Sequence, residues 1–177
     1  MTFNLPDTIS ILNKTPLLLS NLLCNIDVFW YSNNEGPGTW SPFDVMGHLI
    51  HGEKRDWIPR AKIILSHNKS KTFETFDRTA QFENSKGKQM QDLLSEFEKL
   101  RRLNLNTLIS WKLTRSDLNR TGIHPELGVV TMEQLLATWT VHDLGHIHQI
   151  TRTMSKNYLE NVGPWFQYLG VLNPHAK

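Results

Sequence analysis

Residues 131–154 read TMEQLLATWTVHDLGHIHQITRTM, and the reading of this stretch decides the fold. Thr131 and Gln134 have the T-x-x-Q spacing in which a hydroxyl and an amide cap each other's backbone, so a helix is predicted to begin there. Leu135, Leu136, Trp139, Ile147, Ile150 and Met154 recur at helical intervals and mark its apolar side. His142 and His146 lie on the same helix four residues apart, a step of about 6 Å and about 40°. Two imidazoles so placed can point at one ion. Eight histidines in 177 residues give roughly 0.35 such pairs by chance, so the spacing alone decides little. Location adds weight. Trp139, His142 and His146 fall along the same side as Leu135, near the core face, and buried imidazoles need hydrogen-bond partners or an ion. Two core histidines bonded to other side chains remain the alternative at this point.

Composition bounds the answer. The chain has 177 residues, a formal net charge of +2 and 39% hydrophobic residues, which suits one ordinary globular domain with a sizeable core. No lysine or arginine run makes a phosphate-tracking stripe, so nucleic acid is not an expected partner. No apolar run approaches the roughly 20 residues that span a bilayer, so no membrane is expected either. The single cysteine, Cys24, allows no disulfide within the chain and reads as a small buried side chain. With no basic and then apolar leader at the N-terminus, the expected location is cytoplasmic.

Before the quoted helix, the chain reads as three further helices. Thr15-Pro16 offers a cap and a first-turn proline, so the apolar run of Leu17, Leu18, Leu19, Leu22, Leu23, Ile26, Val28, Phe29 and Trp30 is predicted as a core helix. A break near Pro16 separates it from a brief lead-in helix over residues 7–13. Asn33-Asn34-Glu35-Gly36-Pro37-Gly38 is a turn. Ser41, Pro42 and Asp44 start the second helix, which carries Val45, Met46, Leu49, Ile50 and Trp57 and is kinked by Pro59. His48 on this helix is the candidate third ligand, with a single hydrogen-bonded histidine as its alternative. His51 reads as solvated.

Residues 66–88 are polar with Phe73, Phe76 and Phe82 interspersed. That length fits a crossover that returns the next helix parallel to the second, its aromatics packed on the bundle. Asp77 and Arg78 within it read first as a local ion pair, with reach into a pocket as the alternative. The third helix is expected over residues 88–113, striped by Met90, Leu93, Leu94, Phe97, Leu100, Leu108 and Trp111, with Glu96, Glu98, Lys99, Arg101 and Arg102 on a solvated face. Residues 114–130 read as a loop with His124 exposed, or else near the mouth of a site. The tail, residues 158–177, reads as a loop and short turn with Trp165 covering one end of the bundle.

Three stretches carry a resemblance: Gly38-Thr39-Trp40-Ser41-Pro42 through His48-Leu49, His142-Asp143-Leu144-Gly145-His146-Ile147-His148-Gln149-Ile150, and Gly163-Pro164-Trp165. Together with the helix order, they make the sequence resemble the DinB-like superfamily, which includes DinB and metal-dependent hydrolases of the YfiT type. The resemblance implies an all-α fold, a four-helix bundle with a long crossover between helices 2 and 3, spanning residues 1–177 as one domain. It also implies a divalent metal ion, nickel or zinc, held by three histidines at one end of a cleft. Carried onto this sequence, those are His48, His142 and His146, and every position is filled. His148 points about 200° around the helix from His146 and should miss the site.

Three neutral imidazoles with one open position make a catalytic type of centre. The expectation is therefore a metal-dependent enzyme of the hydrolase or thiol S-transferase class that the family includes, acting on a small-molecule substrate with a low-molecular-weight thiol among the candidates. A non-catalytic bundle that binds a metal or ligand is the alternative. No general base is named, because Asp143 faces about 100° away from His142 and Glu53 about 140° away from His48. A homodimer is a further expectation, since bundles pair through exposed apolar helix faces.

Overall fold

A proline sits inside the first helix without breaking it. The computed structural model describes residues 2–174, and in it helix α1 runs unbroken over Leu5–Leu23 with Pro16 inside. The predicted break is absent, and the helix ends at Leu23, short of the expected Trp30; Asn25 at φ 56 turns the chain out of the helix before the separate turn at Phe29–Ser32. Pro16 has no N–H to give the carbonyl of Leu12, which would orphan a buried acceptor. Arg101 Nη1 donates to that carbonyl at 2.9 Å instead, so the helix continues.

Four long elements form the bundle: α1, α3 over Pro42–Arg55, α6 over Met90–Ser110 and α8 over Met132–Lys156, with a one-turn helix α2, Phe29–Ser32, between the first two. Helix α3 starts at a capping box in which Ser41 accepts from Asp44 N and Asp44 accepts from Ser41 N. It stops at Asp56, whose backbone (φ −107, ψ −77) turns the chain into α4, Trp57–Leu65. The missing N–H of Pro59 leaves the Arg55 carbonyl without its helical donor, which explains the expected kink. Helices α3 and α6 run parallel. Asp44 shares a groove with Gln89 and Met90 at one end, and Glu53 meets Arg101 and Asn104 at the other. The long connection between them is the anticipated crossover.

That crossover is more ordered than its polarity suggested. Residues 80–85 form a short helix, α5 (Ala80–Ser85), started by Asp77, which accepts from Thr79 N, Thr79 Oγ1 and Ala80 N. Asp77 is occupied there and not by Arg78. Phe73 is buried, whereas Phe82 stays exposed. The segment read as a loop after α6 contains a one-turn helix, α7 (Arg115–Leu118), and a hairpin, β1 (Thr121–His124) with β2 (Gly128–Thr131). Strands this short, with one face in solvent, leave little alternation to read. Phe73 N donates to Ile123 O and Ile123 N to Lys71 O, each at 2.9 Å, which pins the crossover to the hairpin. The quoted helix begins as expected, Thr131 and Gln134 capping each other. The tail forms a 3-10 turn over Gly163–Tyr168, but Trp165 is 70% exposed, largely in solvent where partial cover of one bundle end was expected; residues 175–177 lie outside the described residues. Cys24 is half-buried against the Gln91 amide.

The largest correction concerns Arg101. Placed on a solvated face by its charged neighbours, it is 1% exposed at the centre of the bundle. Its five N–H donors all find acceptors: Glu53 Oε1 takes Nε at 3.1 Å and Nη2 at 2.8 Å, Asp143 takes Nη1 at 2.6 Å and Nη2 at 3.0 Å, and Leu12 O takes the fifth. Asn104 and Trp139 Nε1 donate to the remaining positions on Glu53. The guanidinium carbon lies 4.8 Å from the ring centre of Phe97 and 5.1 Å from that of Trp139, a cation between two π faces. Burial opposes the Arg101 charge, but Glu53 and Asp143 outweigh it and hold its pKa above the usual value. This polar layer separates two apolar halves, one around Leu19, Met46, Phe97 and Ile150, the other around Leu12, Trp57, Leu105 and Trp139.

Removing the guanidinium should leave two buried carboxylates and one carbonyl uncompensated. Arg101→Met is expected to cost about 3–5 kcal/mol in denaturant unfolding, and a loss below about 1 kcal/mol would contradict the assigned role of the layer.

Candidate metal centre

Helices α3 and α8 pack antiparallel, so His48 meets His142 and His146 across the interface while Trp57 meets Trp139 further along. Each helix splits its polar residues between two sides. Glu53 follows His48 by five residues and Asp143 follows His142 by one, and both carboxylates turn inward to Arg101. The imidazoles are left on another side of each helix, about 140° round from the carboxylate on α3 and about 100° on α8. As the helical angles predict, neither carboxylate joins the histidines.

The three imidazoles converge by their Nε2 atoms. His142 Nε2 lies 3.0 Å from His48 Nε2 and 3.1 Å from His146 Nε2, and one ring nitrogen from each histidine lies within 4.8 Å of the others. Nitrogens bound at about 2.0–2.1 Å to one tetrahedral ion would stand about 3.3–3.4 Å apart, close to this spacing. The Nδ1 atoms explain why Nε2 is the inward atom. His48 Nδ1 donates to Gln81 Oε1 at 2.9 Å, and His146 Nδ1 donates to Gln149 Oε1 at 2.9 Å. A ring whose proton is held at Nδ1 presents a bare lone pair at Nε2. Such lone pairs turned toward one another repel unless a proton or a cation lies between them. The site therefore fits a divalent ion by its donors, its spacing and its tautomers.

Burial keeps the donors unprotonated. It lowers the His48 pKa to about 4, with the neighbouring His146 adding to the effect. Burial also lowers His142 to about 2, helped by both other imidazoles, and lowers His146 against the pull of Gln149. Aromatic rings wall the cluster. Trp40 lies 4.8 Å from His48 and stacks on His146 at 6.4 Å with planes 18° apart, and Trp57 meets His142 edge-on at 5.0 Å.

Gln81 could not have been found by spacing. It rides on α5, is 1% exposed, and lies 33 residues from its partner. Gly47 is what lets α5 approach: a Cβ there would collide with Ser85 Oγ and come within 3.6 Å of the Gln81 carbonyl. Gln149 carried a weak signal, three residues after His146 on the same helix. His51, read as solvated, is 7% exposed and packs on Phe76 at 4.7 Å, outside the cluster. His148 is exposed and misses it, as expected.

The cluster opens on a cavity of about 410 Å³, a size ordinary for a small-molecule site. Trp40, Trp57, Phe73 and Phe76 supply its apolar wall, and Asp56, Arg60, Arg78 and Glu126 its charges. His124, read as exposed, lies half-buried on the hairpin and lines this cavity. Arg78 is at the same cavity, not in the predicted ion pair. Among the described residues, no helix is long and apolar enough to cross a membrane.

Comparison with known proteins agrees with this architecture. Among solved structures, YfiT from Bacillus subtilis is similar to this chain at a TM-score of 0.73 and 21% identity, over 86% of this chain and 86% of that one. YfiT is described as a probable metal-dependent hydrolase with an unusual four-helix bundle topology. At that identity the likeness shows the fold. No curated protein matches the sequence. The family model of the DinB superfamily matches residues 11–150, a span that holds all three histidines, the crossover and the hairpin. The chain belongs to the DinB superfamily.

Proposed function

We propose that the chain is a metal-dependent enzyme of the hydrolase or thiol S-transferase class, with one divalent cation, zinc or nickel, held by Nε2 of His48, His142 and His146. The observation that carries this reading is the meeting of three Nε2 atoms from two helices, two of them with Nδ1 tied to a glutamine. Three protein donors leave a further position on the ion for a guest, and the cavity provides the room. YfiT, described as a probable metal-dependent hydrolase, lends the same chemistry to the proposal.

When bound, such an ion would polarise a carbonyl or lower the pKa of a water or thiol. The chain's own residues do the rest. Gln81 and Gln149 hold the protons at Nδ1 and so aim the donors. Trp40, Trp57 and Phe76 narrow the access of water to the cluster and offer a flat apolar bed for a substrate. Neither Glu53 nor Asp143 serves as a base, since Arg101 holds both. The proposed partners are a small-molecule substrate, with a low-molecular-weight thiol among the candidates, and a second copy of the chain in a homodimer.

Metal analysis of the purified protein should find about one transition-metal ion per chain, and His142→Ala should lose it; full stoichiometry in the variant would remove the trio. The metal-loaded protein should turn over one member of a panel of amides, esters, and thiols paired with electrophiles. Silence across the whole panel would favour a binding role instead.

Gln81→Leu should weaken metal affinity by about 10–100-fold with helicity retained. Unchanged affinity would show that the Gln81 bond does not orient His48.

Acid should destabilise the metal-free protein through its histidines. Their folded pKa values lie below the unfolded value near 6.5, so the unfolded chain binds protons first as the pH falls. The stability present above pH 6.5 should decline as the pH falls, down to about 4 for the His48 contribution and about 2 for that of His142, and more gently in a His48→Gln/His142→Gln variant. An equal slope in that variant would contradict burial as neutral rings.

A further inference from the structure

One guanidinium in the cavity has donors that the protein does not use. Arg60 is 8% exposed, yet only its Nη1 is engaged, by Asp56 Oδ1 at 2.7 Å. Phe73 supports the guanidinium face, with the Arg60 carbon 5.3 Å from its ring centre. Among the described residues, Nε and Nη2 have no protein acceptor, while Arg60 lines the cavity beside the three histidines. Nε and Nη2 form one edge of the planar guanidinium, with parallel N–H bonds at the spacing of two carboxylate oxygens. Both donors are open to the cavity and free to take an acceptor from a guest.

Contrast with the other arginines sharpens the point. Arg101 has every donor filled, and Arg152 grips Glu35 through its own Nε and Nη2 edge at 3.0 and 2.6 Å. That second contact is the arrangement Arg60 lacks. Phe73 already supports the Arg60 side chain, so a guest would have less of it to order. The backbone turn at Asp56 is what sets Asp56 and Arg60 together, four residues apart, at the head of α4.

The charges around the cavity select the guest further. Asp56 and Glu126 balance Arg60 and Arg78, so no excess of positive charge favours a polyanion. What the site offers is a single short-range fork beside a flat apolar wall. We propose that the cavity takes an organic monocarboxylate with a flat apolar body, its carboxylate seated on the Nε and Nη2 edge of Arg60 and its body against Phe73 and Trp57. The carboxylate is then the handle of the substrate and not its reacting group. That division of labour rests on the metal-enzyme reading, whereas the seat itself needs no metal. Arg78, exposed and among the described residues without an ion-pair partner, stands within electrostatic reach of His48 and guides the anion inward.

The test uses 3-phenylpropionate, its neutral amide and phenyl phosphate as probes on the full chain, both metal-free and zinc-loaded. Binding is read by calorimetry and by quenching of Trp40 and Trp57. The carboxylate should bind at least about tenfold more tightly than the amide in both forms, and Arg60→Gln should abolish the preference. Equal binding of acid and amide would overturn the proposal, as would tighter binding of phenyl phosphate. A preference seen only with zinc, and surviving Arg60→Gln, would place the carboxylate on the metal and overturn the seat while leaving the metal reading intact. A preference that persists in a protein unable to bind zinc would support the seat and sink the metal reading. Asp56→Asn removes the competing carboxylate without removing the fork. It should tighten 3-phenylpropionate several-fold, and weaker or unchanged binding would count against the proposal even if Arg60→Gln fails to fold.

Discussion

A single buried cation ties the four bundle helices together. Arg101 on α6 reaches the Leu12 carbonyl of α1, Glu53 of α3 and Asp143 of α8. A buried charge is tolerated only when its donors are filled, and here every one is. The requirement runs in both directions. Pro16 can stand inside α1 because Arg101 takes up the acceptor it frees, and the two carboxylates can be buried because they share one guanidinium. Such a layer discriminates between registers more sharply than apolar packing does, since a slip of one turn would strand charges and not merely loosen contacts.

The metal-site geometry follows from that register. His48 and Glu53 share α3, and His142 and Asp143 share α8, so fixing the carboxylates on Arg101 fixes the imidazoles on the other side. The bundle thus has a structural polar layer and a chemical one, held back to back by the pitch of two helices. Trp139 joins them: its ring stacks on Trp57 at 5.7 Å, and its Nε1 donates to Glu53.

The cavity is made by the irregular parts of the chain. The turn at Asp56, the crossover from Phe73 to Arg78, and the β1–β2 hairpin each bring one wall. Close approach allows this. Gly47 admits α5 to the surface of α3, and Gly122 lies so near Phe73 that a Cβ would collide with the ring. Rigid helices therefore supply the donors, and connections supply the shape around them, a division common where one scaffold serves several chemistries.

Much of this was legible in the residues. Helical periodicity, the capping boxes at Ser41 and Thr131 and the length of the crossover are local patterns, and local hydrogen bonds and apolar spacing enforce them, so the sequence by itself determined the four long helices and the i,i+4 histidine pair. The angles separating His142 from Asp143 and His48 from Glu53 are equally local, and they correctly kept both carboxylates away from the imidazoles. Tertiary structure alone decided what depends on partners far along the chain. Arg101 looks like its solvated neighbours until Glu53, Asp143 and Leu12 surround it. Pro16 looks like a break until a distant guanidinium replaces its lost bond. Gln81 and Arg60 have no local mark at all, because a hydrogen bond across 33 residues, or an unused donor edge facing a cavity, exists only after the chain has closed on itself.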